Sequence, residues 1–201
     1  MKFKKNALCI VAHPDDETIW MGGFILHNKN WNWTILSLCR KNDLDRMPKF
    51  LRVCKEYNAN GIISDLDDEV LKPLNIYDLS LKIFNLLPLK IYDFIFTHGK
   101  NGEYGHLRHK ETNKAVLQLI NQKKLFSENK YCFNYIPGSQ ISPHDKELKI
   151  PIPNKNTDLL FNLTPQEFKN KYMIIHELYG FKNNIFETLS CSKSESFSIL
   201  Q

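Results

Sequence analysis

The sequence predicts an α/β fold in which a mostly parallel, doubly wound sheet carries helices on both faces. Continuous apolar runs suit strands that are buried on both faces, as in a parallel sheet. Helical segments of about a dozen residues alternate with these runs, which is typical of βαβ units. Of the 201 residues, 42% are hydrophobic, which is enough for one large core. We therefore expect residues 1–201 to form a single domain.

The first predicted elements lie at the amino terminus. Residues 7–12 form a continuous apolar run and are assigned to a strand. A helix is predicted over 18–27, with Asp15 or Asp16 near its N-cap. A carboxylate at that position accepts hydrogen bonds from the unpaired backbone N–H groups of the first turn. Residues 33–39, again mostly apolar, form the second predicted strand.

The central elements repeat this alternation. Residues 46–57 are predicted to be helical because four apolar residues share one face: Phe50, Val53, Cys54 and Tyr57. A short strand at 62–63 follows, and then a helix at 79–87 that Pro88 stops. The apolar run 91–97 is the fourth predicted strand.

The carboxy-terminal elements are less regular. A helix is predicted at 110–122 and a fifth strand at 131–136. Residues 137–164 are rich in Pro, Ser, Asn and Lys, and we assign them to a loop with at most a short edge strand. A Thr-Pro pair begins a helix over 165–179. The order of residues 189–201 is left open.

Composition and charge exclude several classes of protein. The net charge of +5 comes from 23 Lys and 4 Arg spread along the chain, whereas a nucleic-acid interface clusters its cations and uses Arg. The five Cys show neither zinc-knuckle nor disulfide spacing, which favours a reducing cytoplasm. No apolar run approaches the roughly 20 residues of a membrane span. We expect a cytoplasmic protein with no nucleic-acid partner and no transmembrane segment.

One imidazole and three carboxylates follow the first strand directly, in the motif His13-Pro14-Asp15-Asp16-Glu17. Holding these groups together is costly unless a cation compensates, and a divalent metal is the natural one. A helix start explains Asp16 and Glu17, which favour the positive end of the helix dipole. It leaves His13 and Asp15 without an explanation.

A second cluster follows the fourth strand, where three His and three Gly fall within residues 98–109. His106 and His109 are three residues apart and face the same region if a helix begins there. Both clusters are expected beyond the carboxyl ends of their strands, where such sheets bind ligands. His and Asp ligands suit zinc, with a position left for water. A free carboxylate can then act as general base and a further His as acid or oxyanion donor, which supports hydrolysis of an amide or ester.

The two clusters together resemble the PIG-L/LmbE-like zinc-dependent N-deacetylases. The similarity rests on Ala12-His13-Pro14-Asp15-Asp16-Glu17 and on Gly102 to His109. Weaker similarities extend it along the chain, namely Arg46 with the helix that ends at Asn60-Gly61, Leu66-Asp67-Asp68, residues 171–179 and Glu195-Ser196-Phe197. The resemblance implies a Rossmann-like fold. It also implies a metal-dependent amidohydrolase that removes an acetyl group from N-acetylglucosamine units or related N-acyl compounds.

The resemblance also implies roles for individual residues. The zinc ligands, or ligands to another divalent metal, would be His13, Asp16 and His109. Asp15 would be the general base that activates zinc-bound water, and His106 would stabilise the tetrahedral intermediate or serve as acid. Three residues are expected to contact the substrate, a small N-acylated sugar or sugar conjugate: Arg46, Glu103 and Tyr104.

Two departures from the family pattern bear on substrate identity more than on chemistry. Leu107-Arg108 stands where family members often carry Pro-Asp, so a supporting role of that Asp is missing or is supplied elsewhere. Lys49 stands where a Glu often follows the central Arg by three positions. Arg40 and Arg108 would supply anion contacts if the substrate carried a phosphate.

Several residues have structural interpretations beside the functional ones. Glu17 would cap the first helix rather than touch substrate. His98 would line the site or be structural, and His144 lies in a long loop of the kind that forms lids. The three Trp are assigned to the core rather than to a sugar platform: Trp20, Trp31 and Trp33.

Other functions remain as alternatives. A non-catalytic metal-binding or glycan-binding protein on the same fold is disfavoured because the candidate base Asp15 is present. A nucleotide-binding protein lacks its GxGxxG after the first strand, and a serine hydrolase lacks GxSxG. The sequence leaves open the individual substrate and whether the chain forms a homo-oligomer.

Overall fold

A computed structural model describes residues 4–201 of the chain. Its strands are β1 (Asn6–Val11), β2 (Asn32–Cys39), β3 (Asn60–Leu66), β4 (Phe94–Thr97), β5 (Asn129–Phe133), β6 (Tyr135–Ile141), β7 (Lys149–Pro153), β8 (Leu159–Asn162) and β9 (Ser194–Ile199). Its α-helices are α1 (Asp16–His27), α2 (Arg46–Glu56), α3 (Ile76–Leu86), α4 (Gly102–Gly105), α5 (Leu107–Asn121), α6 (Pro165–Met173) and α7 (Phe186–Ser190). A π-helical turn at Ile174–Leu178 follows α6.

Seven strands form one sheet in the order β3-β2-β1-β4-β5-β9-β8. Neighbours from β3 to β5 are parallel, and β9 is antiparallel to both β5 and β8. The predicted α/β fold with a mostly parallel sheet is therefore confirmed. The strand order reverses between β1 and β4, so the sheet has its topological switch point there.

Successive side chains of each strand point to opposite faces of the sheet. Because the side chains on both faces are apolar, helices cover both faces. Along β1, Ala7, Cys9 and Val11 enter a core that includes side chains of α1 and α2, such as Phe50. Leu8 and Ile10 enter a second core with residues of α3 and α5. The predicted apolar face of α2 is buried as expected, because all four of its residues are at most 2% exposed.

The predicted strand at 131–136 is wrong in its extent, because two strands share it. β5 ends at Phe133, and the backbone N–H of Asn134 bonds to Ser196 as the chain leaves the sheet. The predicted loop at 137–164 is likewise wrong, since β6 and β7 form a hairpin there and β8 follows. Three prolines in the two strands of this hairpin mask its strand character in the sequence, and they are tolerated because the hairpin forms a separate two-stranded sheet.

The carboxy-terminal tail supplies β9, which lies inside the sheet rather than at its edge. Its order, which the sequence left open, comes from pairing on both sides and from an ion pair. The carboxylate of Glu195 is fully buried against the ammonium of Lys171 at 2.7 Å. The helix predicted over 165–179 stops being α-helical at Met173 and continues as the π-helical turn.

The carboxyl ends of β1 and β4 place the two polar clusters side by side. β1 pairs in parallel with β4, so the segment that begins at His13 and the segment that begins at His98 leave the sheet at the same edge. α4 and the start of α5 then carry the second cluster over this edge. No helix among residues 4–201 has the length and apolar character needed to cross a bilayer.

Candidate metal centre

Three side-chain atoms converge at the switch point and form what we call the donor triangle: His13 Nδ1, Asp16 Oδ2 and His109 Nε2. His13 Nδ1 lies 3.1 Å from Asp16 Oδ2 and 3.2 Å from His109 Nε2. His109 Nε2 lies 3.4 Å from Asp16 Oδ2. Four ligands about 2.0–2.1 Å from a tetrahedral zinc ion stand roughly 3.3–3.4 Å apart. The three atoms therefore have the spacing that such an ion requires.

Both histidines of the donor triangle have their other ring nitrogen bound to a carboxylate. His109 Nδ1 lies 2.6 Å from Glu103 Oε2, and His13 Nε2 lies 2.8 Å from Asp68 Oδ1. An N–H donated to each carboxylate leaves the lone pair of the opposite nitrogen directed into the triangle. This carboxylate–histidine arrangement orients ligands in metal sites and makes them better donors.

The third donor, Asp16, is fixed by groups of its own segment. Its Oδ2 accepts a hydrogen bond from the backbone N–H of His13 at 2.8 Å, and its Oδ1 accepts one from Trp20 Nε1 at 2.9 Å. Burial acts to raise the pKa of Asp16, but His109 and His98 outweigh it and hold that pKa well below its usual value. Asp16 is therefore ionised and held by two hydrogen bonds, as a ligand for a cation would need to be.

The residues around the donor triangle offer more than one set of ligands. Asp16, His98 and His109 form one set of grouped donor atoms, and His13, His106 and His109 form another. His98 Nε2, however, accepts a hydrogen bond from the backbone N–H of Ala12 at 2.9 Å, so its lone pair is already engaged. The described residues thus contain His and Asp groups that could hold a metal ion, and in the donor triangle, unlike the set with His98, no backbone N–H occupies a ligand lone pair of either histidine.

Asp15, the predicted general base, lies beside the triangle in a strained conformation. Its φ is 112°, a region that residues other than glycine seldom adopt. Its backbone N–H is held by Glu17 Oε2 at 3.1 Å, and its carbonyl accepts from the first turn of α1. Such strain costs about 1–3 kcal/mol and clusters at functional sites. Burial raises the pKa of Asp15, Asp16 adds to the rise, and Arg46 opposes it.

A cavity of about 320 Å³ opens over this site. Its lining includes four of the residues that the sequence singled out for chemistry, His13, Asp15, Asp16 and His106. Tyr104 and Arg46 line it as well, which is where substrate contacts were predicted. Arg46 donates from Nη1 to Asp15 Oδ2 at 2.6 Å and lies over the ring of Phe181, so it also fixes the candidate base.

His106 faces the cavity beside the donor triangle without completing it. Its Nδ1 is buried and has no hydrogen-bond partner among residues 4–201. Burial, together with the nearby rings of His109 and His13, lowers the pKa of His106 to about 4. The ring is therefore neutral near pH 7, and the residue lines the cavity.

Comparison with known proteins identifies the family. The model of the PIG-L family, described as GlcNAc-PI de-N-acetylase, matches residues 8–120, which include the whole donor triangle. The chain belongs to the PIG-L family. A curated relative, the uncharacterized protein L374 of Acanthamoeba polyphaga mimivirus, is 28% identical over 141 residues. That alignment covers 63% of this chain and 62% of L374, so the chain spans less than two thirds of its relative's length.

Solved structures share the fold of this PIG-L chain. The N,N'-diacetylchitobiose deacetylase from Pyrococcus horikoshii matches with a TM-score of 0.68 at 14% identity, over 98% of this chain and 84% of that one. GalB, the 4-carboxy-2-hydroxymuconate hydratase from Pseudomonas putida KT2440, matches with a TM-score of 0.58 at 16% identity, over 92% and 83%. A deacetylase and a hydratase thus have this fold, so the reaction has to be argued from the site itself.

Glu103 does not reach the cavity, contrary to the expectation that it contacts substrate. Its side chain is fully buried, and its Oε2 accepts from both His98 Nδ1 at 2.8 Å and His109 Nδ1 at 2.6 Å. Its Oε1 accepts from the backbone N–H of Gly99 at 2.7 Å. Burial would raise the pKa of Glu103, but His98 and His109 outweigh it and lower that pKa to about 2. Glu103 therefore orients His109 as an ionised carboxylate.

Arg40 and Arg108 are not available as anion contacts, contrary to the expectation for a phosphate-bearing substrate. Arg40 donates from Nε and Nη2 to Asp68 Oδ2 at 3.1 and 2.7 Å. Arg108 is fully buried and donates to Glu111 at 2.6 Å and to Asp67 Oδ2 at 3.0 Å. Both guanidinium groups are neutralised by carboxylates of the protein.

Asp68 is the functional residue that the sequence did not single out. It belongs to the segment after β3, and Arg108 anchors that segment by donating to the backbone carbonyls of Asp67 and Lys72. The supporting carboxylate expected from position 108 is thus supplied to His13 by Asp68, about 40 residues earlier. The sequence pointed to Asp68 only through the Leu66-Asp67-Asp68 segment, and nothing in that segment indicates that His13 is its partner.

The remaining candidates take structural positions. Glu17 is fully buried, where it accepts from Asp15 N–H at 3.1 Å and from Tyr179 at 2.7 Å, but α1 has no capping box of the kind predicted for Glu17. His98 is fully buried, which fits its structural interpretation. Trp20 is buried in the core, yet it also lines the cavity.

Proposed function

We propose that this PIG-L chain is a zinc-dependent N-deacetylase that hydrolyses the acetamide of an N-acetylated sugar conjugate. One observation carries the proposal: the cavity that exposes His13 and Asp16 of the donor triangle also contains a candidate base, Asp15, and a neutral imidazole, His106. Two imidazoles and one carboxylate at tetrahedral spacing favour zinc over magnesium or calcium, which prefer oxygen shells. Membership of a family described as de-N-acetylases supports the same reaction.

The protein's own groups divide the chemistry between them. A divalent metal, when bound by His13, Asp16 and His109, supplies Lewis acidity and makes water more acidic. Asp15 accepts a proton from the attacking water and delivers it to the amine nitrogen as the C–N bond breaks, which yields acetate and a free amine. The raised pKa of Asp15 makes its carboxylate a stronger base toward water, so that it can hold the proton until the amine nitrogen takes it. His106, neutral at pH 7, donates an N–H to the developing oxyanion.

The other expectations from the sequence accompany this proposal as predictions. They are a single domain over residues 1–201 and a cytoplasmic location, while the formation of a homo-oligomer stays an open question. The competing function is non-catalytic binding of a metal or glycan on the same fold, and the experiment below separates the two.

The test is acetate release from N-acetylglucosamine and its glycosides, measured together with the zinc content of the purified protein. We expect about one zinc per chain and turnover in the wild-type protein. Asp15→Asn should retain zinc and lose roughly 10²–10⁴-fold in turnover, because Asp15 lies outside the donor triangle but handles the proton. Asp16→Asn should lose zinc and turnover together.

A matched control is Asp65→Asn, which makes the same change at an exposed carboxylate paired with Lys82. It should leave both zinc content and turnover unchanged. Turnover that survives in Asp15→Asn would refute the assigned base. A protein that holds zinc, binds the sugars and releases no acetate from any of them would support the non-catalytic alternative.

A further inference from the structure

A second cavity adjoins the catalytic one, and the two share part of their lining. This second cavity, of about 520 Å³, shares Tyr104, Phe186 and Glu187 with the lining of the first. The rings of Tyr104 and Phe186 meet edge to face with centroids 4.8 Å apart. The other side of Tyr104 meets the ring of His109 in the donor triangle at 5.2 Å. A ligand bound at the metal site is therefore within one aromatic ring of the second cavity.

The far side of the second cavity is formed by the β6–β7 hairpin, which packs on α4 and α7. The loop between the two strands supplies Ser142, His144, Asp145 and Leu148 to the lining. Three hydrogen bonds shape that loop: Ser142 N–H donates to Leu148 O at 2.8 Å, Leu148 N–H to Asp145 O at 3.2 Å, and Glu147 N–H to Asp145 Oδ1 at 2.9 Å. The second cavity is therefore lined by α4 and α7 on one side and by a hydrogen-bonded loop on the other.

The charges of both linings disfavour an anionic ligand. The catalytic cavity is lined by five carboxylates and two guanidinium groups, so a bound divalent ion still leaves it one charge negative. Both guanidinium groups are already paired, Arg40 with Asp68 and Arg46 with Asp15. The second cavity is lined by Asp145 and Glu187 and, within residues 4–201, by no Lys or Arg. A phosphate group would meet more carboxylates than cations in either cavity, and both guanidinium groups of the catalytic cavity already pair with carboxylates.

The second cavity instead offers apolar contacts, from Leu148, Ile185 and the ring of Phe186. We infer, resting on the proposed function, that it binds an apolar aglycone linked to the N-acetylated sugar. The substrate is thereby assigned to uncharged glycosides with a hydrocarbon or aromatic aglycone. This differs from the GlcNAc-PI of the family's description, which carries a phosphodiester.

The experiment compares kcat/KM for three N-acetylglucosamine substrates: the free sugar, its hexyl β-glycoside and its 1-phosphate. The zinc-loaded wild-type protein should favour the hexyl glycoside over the free sugar by roughly tenfold or more, mainly through KM, because the alkyl chain leaves water. The 1-phosphate should be the poorest of the three. Equal values for the free sugar and the glycoside, or a preference for the 1-phosphate, would overturn the inference.

Two substitutions locate the effect. Leu148→Asp should remove the advantage of the hexyl glycoside. It should leave kcat/KM for the free sugar within about twofold, since Leu148 lines the second cavity and not the catalytic one. Leu148→Ala, a milder change in the same loop, should reduce the advantage in part. Leu89→Asp is the matched control, because Leu89 is 45% exposed and precedes β4, at the opposite edge of the sheet. An equal loss in Leu89→Asp would refute the location.

A binding measurement keeps this inference separate from the proposed function. Calorimetric titration of zinc-loaded Asp15→Asn with hexyl β-glucoside and with glucose 1-phosphate requires no turnover. Tighter binding of the hexyl glycoside, lost in Asp15→Asn/Leu148→Asp, supports the apolar subsite even if no acetate is released. Equal or weaker binding of the hexyl glycoside overturns the subsite, even if the deacetylase activity is present.

Discussion

Removal of Asp68 tests whether the metal site depends on a carboxylate that lies outside both sequence motifs. In Asp68→Ala, His13 loses the acceptor of its Nε2–H, which lies at 2.8 Å. The ring is then free to rotate, and its Nδ1 loses basicity as a ligand. Arg40 loses its carboxylate partner in the same change.

The structure sets the expected size of the effect. The side chain of Asp68 is only 8% exposed, and Asp68→Ala removes the ionised carboxylate that holds His13 Nε2, which a neutral water could replace only as a weaker acceptor. Loss of such a partner typically weakens metal binding by about 10–100-fold. That corresponds to roughly 1.4–2.8 kcal/mol of binding free energy. Asp68→Asn, which keeps one oxygen in place, should fall at the lower end of this range.

The assay is competition for zinc against a chromogenic chelator, which reports the dissociation constant without any need for turnover. Asp67→Ala is the matched control, because the neighbouring carboxylate contacts Arg108 and is 47% exposed. It should change the dissociation constant by less than about threefold, because Asp67 contacts no residue of the donor triangle and Arg108 keeps its ion pair with Glu111. Zinc affinity in Asp68→Ala within twofold of wild type, or an equal loss in Asp67→Ala, would refute the reasoning.

Two further predictions concern proton competition and a buried ion pair. Burial acts to lower the pKa of His13, but Asp16 and Asp68 raise it to about 10, so zinc must displace a proton. Apparent zinc affinity should therefore rise from pH 6 to pH 9, by up to about tenfold per pH unit, and a flat profile would contradict this. Lys171→Met leaves Glu195 buried without its cation and should lower the free energy of unfolding in urea by about 3 kcal/mol. Lys171→Met/Glu195→Gln should recover part of that loss, and a double variant less stable than the single one would contradict the ion-pair account.

The shared fold explains why chemistry cannot be assigned from architecture here. The switch point between β1 and β4 brings two loops together in any sheet with this strand order, whatever residues the loops carry. In this chain those loops carry His13, Asp15, Asp16 and His109. The proposal of a metal-assisted hydrolysis rests on those side chains, whereas a similar fold in GalB belongs to a hydratase.

The sequence alone was sufficient where the determining interactions are local. The apolar run of β1 and the amphipathic face of α2 predicted their elements because burial acts on a pattern of neighbouring residues. The motif from His13 to Glu17 similarly indicated its chemistry, since one short turn concentrates an imidazole and three carboxylates. His106 and His109 were found because they are close in sequence and follow a strand.

Only the tertiary structure decided features that join distant segments. β9 was not predicted, because its order comes from pairing with β5 and β8 and from the ion pair of Glu195 with Lys171. Asp68 appeared as part of an acidic turn until the fold placed it on His13, 55 residues away. Glu103 appeared in the sequence as a substrate contact, but burial against two imidazoles makes it the support of His109 instead. Residue types specify which chemistry is available, and the folded chain specifies which atoms face each other. The reason is that hydrogen bonds and metal–ligand contacts act over about 3 Å or less in space, whatever the separation of the residues in sequence.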